Sequence, residues 1–465
     1  MPIKHLPPAS SRPIRAARPP AARPEAVQPD ALLQRLVDCD LPFRRVARVI
    51  ALALLPWSAL WGADWSEWGG PSRNFEAPVV SESVSEGDLS TWSTLWRKDL
   101  GLGYSAISVV GDRLVTMDRD GDRERIVCLS AATGDELWSF AYDAPHLDGM
   151  RIGYGTGPHA TPLIHDGRVF AVGATALLHS LSLETGELVW KKDLWGDVGG
   201  TFLVRGYASS PLVVDGRVVV TAGGEGQGFV AFEAATGEEA WRGSTFKNSQ
   251  SSPVLLDIPG PDGAERILIA FANDEVVAAD PVDGSFLWSV EHKSGAAYNI
   301  GTPVFDPPTR RLFVSSAYGG GTRALEISRA AAEELWHTNR LKIHYTNMLY
   351  LDGHLYGTTG NAGTVILAGL DTATGKVLWK DRKIVRSQLV SLGGTTALAL
   401  TEDGELLRLG LRPSGVTVEG RFAVEVEKSW TPPTVVGERI YLRTEGSILA
   451  LGPNSGPSAE PSAGD

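Results

Sequence analysis

The sequence contains few cysteines and lacks long apolar runs. Its 465 residues include two cysteines, Cys39 and Cys128, which excludes a fold held by several disulfides and favours Cys128 as a small buried apolar residue. It has no adjacent cysteines, no Cys-x-x-Cys-His sequence for haem attachment and no His-x-x-x-His pair of the kind that binds metals. The apolar run Val49–Leu55 is too short for a comfortable membrane span.

Charge is distributed unevenly along the chain. The formal net charge is −12, but the first 48 residues carry nine Lys and Arg against four Asp and Glu, and all later residues carry 34 against 51. An acidic body of this kind repels polyanions. The sequence therefore argues against nucleic acid or an anionic lipid surface as the partner.

The two ends differ in composition from the body. Residues 1–45 are rich in Pro and Arg and are predicted to be a disordered leader, whereas 46–63 combine a basic flank with an apolar stretch, as in a secretory signal peptide. We expect cleavage after Ala63, an exported protein in the periplasm or outside the cell, and no transmembrane span in the mature chain. An uncleaved amphipathic anchor is the alternative. Residues 452–465 are predicted to be a disordered tail.

Six copies of one short phrase, each ending in tryptophan, organise the body. Four copies end in Thr-Gly-x-x-x-Trp, one has Asp283-Gly284 in place of Thr-Gly, and the copy Leu325–Trp336 has neither dipeptide. The final residues are Trp138, Trp190, Trp241, Trp288, Trp336 and Trp379, which lie 52, 51, 47, 48 and 43 residues apart. A period near 45 residues is typical of a repeat architecture.

Each repeat contains the signals for two hairpins. Glycine supplies the positive φ of a tight reversal, and the tryptophan that follows on the next strand can cover a neighbouring sheet and donate its N–H to a carbonyl. The second hairpin is a β-branched or aromatic run around a Gly-containing turn, as in Val213–Val220. Two hairpins make a four-stranded antiparallel sheet, and radial repetition of such sheets is a β-propeller.

The blade count follows from the two ends of the repeat region. Trp96 lies 42 residues before Trp138, and Phe422 lies 43 residues after Trp379, where another tryptophan is due. The last hairpin, 435–451, ends before any Trp strand, and residues 91–99 can supply that strand. We predict an all-β, eight-bladed propeller over 91–451, preceded by a lead-in of residues 64–90. We interpret all seven tryptophans as structural: Trp96, Trp138, Trp190, Trp241, Trp288, Trp336 and Trp379.

An acidic run, Asp118–Glu124, superficially resembles a calcium-binding loop. The helix–loop–helix pattern requires Gly and Glu where this sequence has Arg123 and Leu129. Two interleaved arginines also offset its charge. The run is predicted to be a solvent-exposed hairpin tip.

The repeat phrase resembles the tryptophan-docking repeat of quinoprotein dehydrogenases and of the outer-membrane assembly lipoprotein of the β-barrel machinery. More specifically, the chain is similar to exported bacterial proteins with pyrroloquinoline-quinone-like (PQQ-like) propeller repeats. Those proteins often begin the mature chain with Asp-Trp-x-x-Trp-Arg-Gly-Pro-x-Arg, which residues 64–73 match apart from Gly69. The resemblance covers about residues 64–451 and also includes the segments 153–162, 206–211 and 430–433.

This resemblance implies three different functions. A PQQ-dependent dehydrogenase of alcohols or sugars would need a quinone clamp, a calcium ion and a carboxylate base, and we find no unambiguous set of calcium ligands and no catalytic nucleophile motif. We therefore assign no catalytic or metal-binding residue. The preferred interpretation is an exported, non-catalytic binding or scaffold propeller for an unknown small molecule or envelope protein. The alternatives are a periplasmic PQQ-dependent dehydrogenase with calcium and an envelope-assembly scaffold.

The loops that lead into the first strand of each blade are the best place for a ligand site. In a propeller these loops surround one mouth of the central channel, and here they are polar and aromatic. We predict that side chains from several blades converge on one funnel. The candidates are Arg151, Tyr154, His159, Arg205, Tyr207, Asn299, His344 and Trp430. The alternative is that these groups only hydrogen-bond with each other and with channel water.

Overall fold

A computed structural model describes residues 64–153, 155–260, 263–295, 298–360, 365–424 and 428–454. They belong to one compact unit, Ser58–Asp465. The predicted leader and signal region, residues 1–63, and residues 455–465 of the predicted tail lie outside the described residues. The tail was predicted to begin at residue 452, but the last strand continues to Pro453.

The described residues form eight four-stranded antiparallel sheets, as predicted. The first four blades are β2–β5 (Ser108–Val110, Arg113–Asp120, Arg123–Ser130, Glu136–Asp143), β6–β9 (Leu163–His165, Arg168–Val172, Leu177–Ser182, Leu188–Asp193), β10–β13 (Leu212–Val214, Arg217–Thr221, Phe229–Glu233, Glu239–Gly243) and β14–β17 (Val254–Gly260, Gly263–Phe271, Glu275–Ala279, Phe286–Glu291). We number them blades 1 to 4.

Blades 5 to 8 complete the ring. They are β18–β21 (Val304–Asp306, Arg311–Ser316, Gly321–Ile327, Ala332–Thr338), β22–β25 (Leu349–Leu351, His354–Thr359, Ile366–Asp371, Val377–Asp381), β26–β29 (Ser387–Ser391, Thr396–Thr401, Glu405–Arg412, Gly415–Ala423) and β30–β32 (Thr434–Val436, Arg439–Arg443, Ser447–Pro453) with β1 (Trp92–Asp99). Before β1 come one turn of α-helix, α1 (Glu82–Ser85), and a 3₁₀ turn, Leu89–Thr91. No helix of the described ranges is long and apolar enough to cross a membrane.

Blade 8 joins the two ends of the ring. Strand β1 pairs antiparallel with β32, with Trp92 opposite Pro453 and Asp99 opposite Ser447. The predicted closure by residues 91–99 is therefore confirmed. Because β1 completes the last sheet, the ring closes through ordinary strand pairing and leaves no gap between the first and last blades.

The predicted tryptophans dock each blade against the next. Trp138 of blade 1 donates its indole N–H to the Leu183 carbonyl of blade 2, at 2.8 Å. The corresponding bonds of Trp96, Trp190, Trp288, Trp336 and Trp379 reach Ala131, Ala234, Ser328, Thr372 and Arg412 at 2.8–3.2 Å. Trp241 packs in the same position, but its N–H has no partner among the described residues.

The turn glycine makes room for this tryptophan. Gly186 has a φ of +72°, and a Cβ at this position would lie 2.6 Å from the Trp138 ring. A side chain there would therefore clash with the indole and strain the backbone. The Thr-Gly turn of one blade and the tryptophan of the preceding blade thus form one complementary contact.

The apolar core lies mainly between neighbouring blades. One cluster combines Leu212 and Val219 of blade 3 with Leu268 and Val277 of blade 4. Phe422, on the outer strand of blade 7, packs against the cluster that blade 7 shares with blade 8, as its position in the repeat predicts. Each sheet therefore buries its faces against the two sheets beside it.

The lead-in follows the inner strands of several blades. The backbone of Trp65 exchanges two hydrogen bonds with Val109 of β2, at 2.7 and 2.9 Å, and Ser66 accepts one from Ile164 of β6. Further along, the carbonyl of Phe75 accepts a bond from Ser391 of β26. The segment thus contacts the central channel before the chain enters the ring.

The acidic run forms the tip of the β3–β4 hairpin, and residues 120–123 at the turn are exposed as predicted, but the run is not exposed throughout. Asp118 and Glu124 are fully buried. Asp118 pairs with Arg125 at 2.5 Å, and Glu124 pairs with Arg119 at 2.8 Å and accepts the Tyr142 hydroxyl at 2.7 Å. These partners satisfy the buried carboxylates, which would otherwise be costly to remove from water.

We expect Trp190→Ala to lower the free energy of unfolding by about 3–5 kcal/mol, the usual cost of deleting a large buried aromatic side chain. Trp190 is buried, covers Gly237 and donates to Ala234. Urea unfolding followed by circular dichroism measures the change. Leu188→Ala, an exposed position on the same strand, is the control and should cost less than about 0.5 kcal/mol. Equal losses in both variants would contradict the docking role.

Candidate functional site

A cavity of about 180 Å³ lies where the loops leading into the first strands meet. We call these the inlet loops: 100–107, 144–162, 194–211, 244–253, 292–303, 339–348, 382–386 and 424–433. Seven of them, the beginning of β26 and the lead-in all contribute to the lining: Trp68, Tyr104, Arg151, Gly155, His159, Arg205, Ala208, Ser210, Gln250, Ser252, Ile300, Gly301, Thr302, His344, Tyr345, Thr346, Asn347, Gln388 and Trp430. Every blade therefore supplies part of one wall.

Aromatic rings follow each other around part of this wall. Tyr104 stacks on His159 at 6.1 Å and on Trp430 at 4.9 Å, with interplanar angles of 6° and 26°. Trp430 in turn stacks on Tyr345 at 6.1 Å, and Tyr345 meets His344 at 4.5 Å. This aromatic arc links the inlet loops of blades 1, 2, 6 and 8, and all of its members line the cavity.

Cationic side chains support the arc. The Arg386 guanidinium lies 5.5 Å from the Tyr345 ring and 5.9 Å from the Trp430 ring, and the Lys428 ammonium lies 3.9 Å from the Trp430 ring. Glu402 pairs with Arg386 at 2.7 Å. Cation–π contacts with these rings therefore keep Arg386 and Lys428 close to the cavity.

The cavity lining carries positive charge and, over the described part of the chain, no carboxylate. Arg151 is exposed and Arg205 is half-buried against the Tyr298 ring, 5.4 Å away. Both line the cavity. Two arginines without a carboxylate in the described lining favour an anion over a cation.

The two lining histidines are held neutral. Burial, followed by the charges of Arg205 and Arg386, lowers the pKa of His344 to about 4. Burial and then Arg119 lower the pKa of His159 to about 4. The Nδ1 atom of His344, a residue that is 1% exposed, has no hydrogen-bond partner among the described residues. A neutral imidazole at this position can hydrogen-bond a ligand or water.

Two amide side chains fix the loops of blades 6, 7 and 8. Gln388 donates to the carbonyls of Tyr345 and Trp430, each at 2.8 Å, and accepts from the Asn347 N–H. Asn347 exchanges two bonds with the backbone of Leu389, at 2.6 and 2.8 Å. These buried bonds hold the aromatic arc in place without a ligand.

The structure brings five of the predicted site residues together. Arg151, His159, Arg205, His344 and Trp430 line the cavity, and Tyr154 lies outside the described residues. Tyr207 and Asn299 do not line it, so their predicted convergence was wrong. Tyr207 donates to Thr221 and Asn299 donates to Ala272. Both turn into the blades to satisfy buried carbonyl groups.

Trp68 and Gln388 are lining residues that the sequence did not suggest. Gln388 already lies on β26 and not in a loop. Trp68 comes from the lead-in, outside the repeats. The only signal for Trp68 is the Asp64–Arg73 motif, whose place in the fold the sequence leaves open.

The lining does not fit a quinone with its calcium ion. Calcium needs several hard oxygen ligands, and within the described ranges no three His, Cys, Asp or Glu side chains are placed to hold a metal. The amide oxygens of Asn347 and Gln388 are occupied by backbone donors, and the nearby Glu402 pairs with Arg386. The described side chains of the lining therefore include no carboxylate base and no set of calcium ligands.

The fold and site define an eight-bladed propeller with a cationic, aromatic mouth. A family profile described as "Outer membrane protein assembly factor BamB" matches residues 122–380, more than half of the chain. The chain therefore belongs to this family of PQQ-like propellers.

Curated relatives include both assembly factors and dehydrogenases. The quinohemoprotein alcohol dehydrogenase ADH-IIG of Pseudomonas putida is 26% identical over 40% of this chain and 26% of its own length. BamB of Legionella pneumophila (strain Paris) is 25% identical over 44% of this chain and 51% of its own length. This chain thus spans only about a quarter to a half of these two relatives. BamB of Burkholderia pseudomallei (strain K96243) is 24% identical over 69% of this chain and 87% of its own length.

Solved structures show the same fold. BamB from Moraxella catarrhalis superposes with a TM-score of 0.56 at 15% identity, covering 79% of this chain and 99% of that one. The quinohemoprotein alcohol dehydrogenase ADHIIG from Pseudomonas putida HK5 gives 0.57 at 12% identity, covering 86% and 82%. At these identities the similarity concerns the fold alone.

Acid should destabilise the protein through the two histidines that line the cavity. His159 and His344 have pKa values of about 4 when folded and of ~6.5 when unfolded. Between these values the unfolded chain binds protons that the folded chain does not, so the free energy of unfolding falls as pH falls, by up to ~1.4 kcal/mol per pH unit for each histidine. Urea unfolding from pH 8 to 4 measures this slope.

His344→Gln removes one of these groups. We expect a shallower pH dependence between pH 6.5 and 4 than in the wild type. Between pH 7.5 and 8 the curves should be nearly parallel, because the histidine is then almost fully neutral in both the folded and the unfolded chain. Parallel curves over the whole range would contradict the assignment of His344 as a buried neutral group.

Proposed function

We propose that this protein is an exported, non-catalytic binding propeller whose inlet cavity takes a small anionic ligand with a flat face. The proposed export is supported by the basic residues and the apolar run in residues 44–55, which are typical of a signal peptide. Mass spectrometry of the N-terminal peptide of protein recovered from the periplasm tests the export. We expect Asp64 to be the first residue. A chain beginning there retains the whole lead-in.

The cavity carries the proposal. It combines Arg151 and Arg205 with a row of stacked aromatic rings and contains no described carboxylate. Guanidinium groups bind carboxylate or phosphate through paired N–H bonds, and aromatic rings stack on flat ligand faces. The volume of about 180 Å³ is smaller than the ~300–1,000 Å³ of most small-molecule sites, which favours a single-ring ligand.

Dehydrogenation is the weaker candidate for this site. The named dehydrogenase relatives support the fold, and the repeats they share with this chain form the same ring. The lining, however, provides neither a carboxylate base nor calcium ligands in its described part. Binding needs neither of these groups.

Calorimetric titration with benzoate tests the proposal, with benzamide as the neutral analogue of the same shape. We expect benzoate to bind at least tenfold more tightly than benzamide, and Arg205→Gln to weaken benzoate about tenfold or more, the loss of one charge-assisted hydrogen bond. D-Glucuronate against D-glucose repeats the comparison with a sugar ring.

Arg421→Gln, on the outer strand of blade 7 and paired with Glu405, is the matched control and should leave benzoate affinity unchanged. Equal affinities for charged and neutral probes, or no binding of either anion, would contradict the proposal. Reduction of a dye by alcohols or aldoses after addition of the quinone and calcium would favour the dehydrogenase instead.

A scaffold role in envelope assembly is the second candidate, and one feature favours it. Leu147, Ile152 and Phe202 expose 40–44% of their surface on the inlet loops of blades 2 and 3. The two loops are joined by a backbone bond from Arg151 to Val204 at 2.6 Å. Neighbouring exposed apolar side chains on one face are typical of a protein contact, and BamB relatives are named as assembly factors.

A photo-crosslinking residue in place of Phe202 tests this scaffold role. We expect a crosslink in intact cells to a β-barrel outer-membrane protein or its assembly machinery. The same residue in place of Val282, which lies in a blade 4 turn and is 62% exposed against 40% for Phe202, is the control and should give none. Identical products from both positions would argue against the role.

A further inference from the structure

The lead-in is built into the channel by contacts with at least four blades. Asp64 accepts the Gly111 N–H at 3.0 Å, beside the strand bridge between Trp65 and Val109. At the other end of the segment, Ala77 donates to the Ser391 carbonyl of blade 7 at 2.9 Å. We call residues 64–77 the stopper, because their backbone hydrogen-bonds to the inner strands of blades 1, 2 and 7.

A buried ion pair locks the stopper. Arg73 is 7% exposed, pairs with Glu67 at 2.5 Å, and donates to the carbonyls of Pro211 and Ser210 at 2.9 and 3.3 Å. Burial, only partly offset by Arg73, raises the pKa of Glu67. Removing one partner of such a pair would leave the other charge buried without compensation, which is strongly destabilising.

The backbone of the stopper is strained where it turns. Arg73 and Phe75 have φ values of +51° and +61°, a region that non-glycine residues rarely adopt. Such strain persists only where surrounding contacts enforce it, and it is frequent at functional positions. Here it places Phe75 in the core of blades 6 and 7 and sets Trp68 edge-on to Phe75 at 5.3 Å.

Trp68 is the residue that the stopper presents to the cavity. Its indole N–H donates to the Thr302 hydroxyl of the blade 5 inlet loop at 2.9 Å, and the side chain lines the cavity. The hydrogen bond fixes the ring plane. Part of the cavity wall is therefore an aromatic side chain supplied by a segment outside the repeats.

We propose that Trp68 is a specificity-determining residue that limits the size of the ligand, and that the Glu67–Arg73 pair holds it in place. This inference rests on the proposed binding function. The flat part of the ligand contacts Trp68 and the aromatic arc, while its anionic group meets the arginines. The space that Trp68 fills decides whether one ring or two fused rings can enter.

Benzoate and 2-naphthoate are the probes for size. We expect the wild type to prefer benzoate, Trp68→Ala to shift the affinity ratio at least tenfold towards 2-naphthoate, and Trp68→Phe to lie between them. A wild type that binds benzoate, with an unchanged ratio in both variants, would overturn the role of Trp68 alone. A wild type that binds neither probe would overturn the proposed function as well.

Hydrogen exchange measured by mass spectrometry tests, without a ligand, whether the Glu67–Arg73 pair holds the stopper in place. In Arg73→Ala we expect the amides of 65–77 to exchange at least tenfold faster, together with those of Val109, Ile164 and Ser391, which donate to the stopper. All other strand amides should keep their protection. Ser72→Ala, an exposed position in the same segment, is the matched control and should exchange like the wild type. Unchanged exchange in Arg73→Ala, or uniform loss of protection in all blades, would contradict the lock.

Discussion

The contact between a tryptophan of one blade and a turn glycine of the next holds the ring together. It is made of an indole N–H bond to a backbone carbonyl and of ring packing against a glycine, as Trp138 shows over Gly186. Because the contact recurs around the ring, it sets the spacing between sheets. Each inlet loop is attached to the first strand of a blade, so the spacing of the blades also sets the spacing of the loops. Distant parts of the chain therefore meet at one cavity.

The sequence predicted the ring well because its signals are local and repeated. Turn glycines, alternating strands and the tryptophan period each require only a short window, and the missing outer strand of blade 8 follows from counting. Inlet positions such as Arg205 and His344 could then be placed at the mouth. Side-chain direction is a different matter. Tyr207 turns away from the cavity because the Thr221 carbonyl needs a donor, which no sequence pattern reveals.

Long-range partners explain the other differences. Asp118 and Glu124 looked like surface charges because the sequence cannot show that Arg125 and Tyr142 meet them inside the blade. Trp68 was missed because it belongs to no repeat, and its neighbour Thr302 lies 234 positions away. The repeats therefore predict the scaffold, whereas unique residues decide the chemistry of its mouth. This division fits a family whose members share a ring and differ in named activity.

The pairing of β1 with β32 also has a consequence for how the protein matures. The first strand of the ring must wait for the last hairpin, more than 340 residues later, and until then it exposes an unpaired edge. Contacts so distant along the chain slow folding and favour aggregation of incomplete chains. The closed ring can thus form only once the whole polypeptide has been synthesised. A ribosome that stops early releases an incomplete ring, which cannot close because the strand that pairs with β1 is missing.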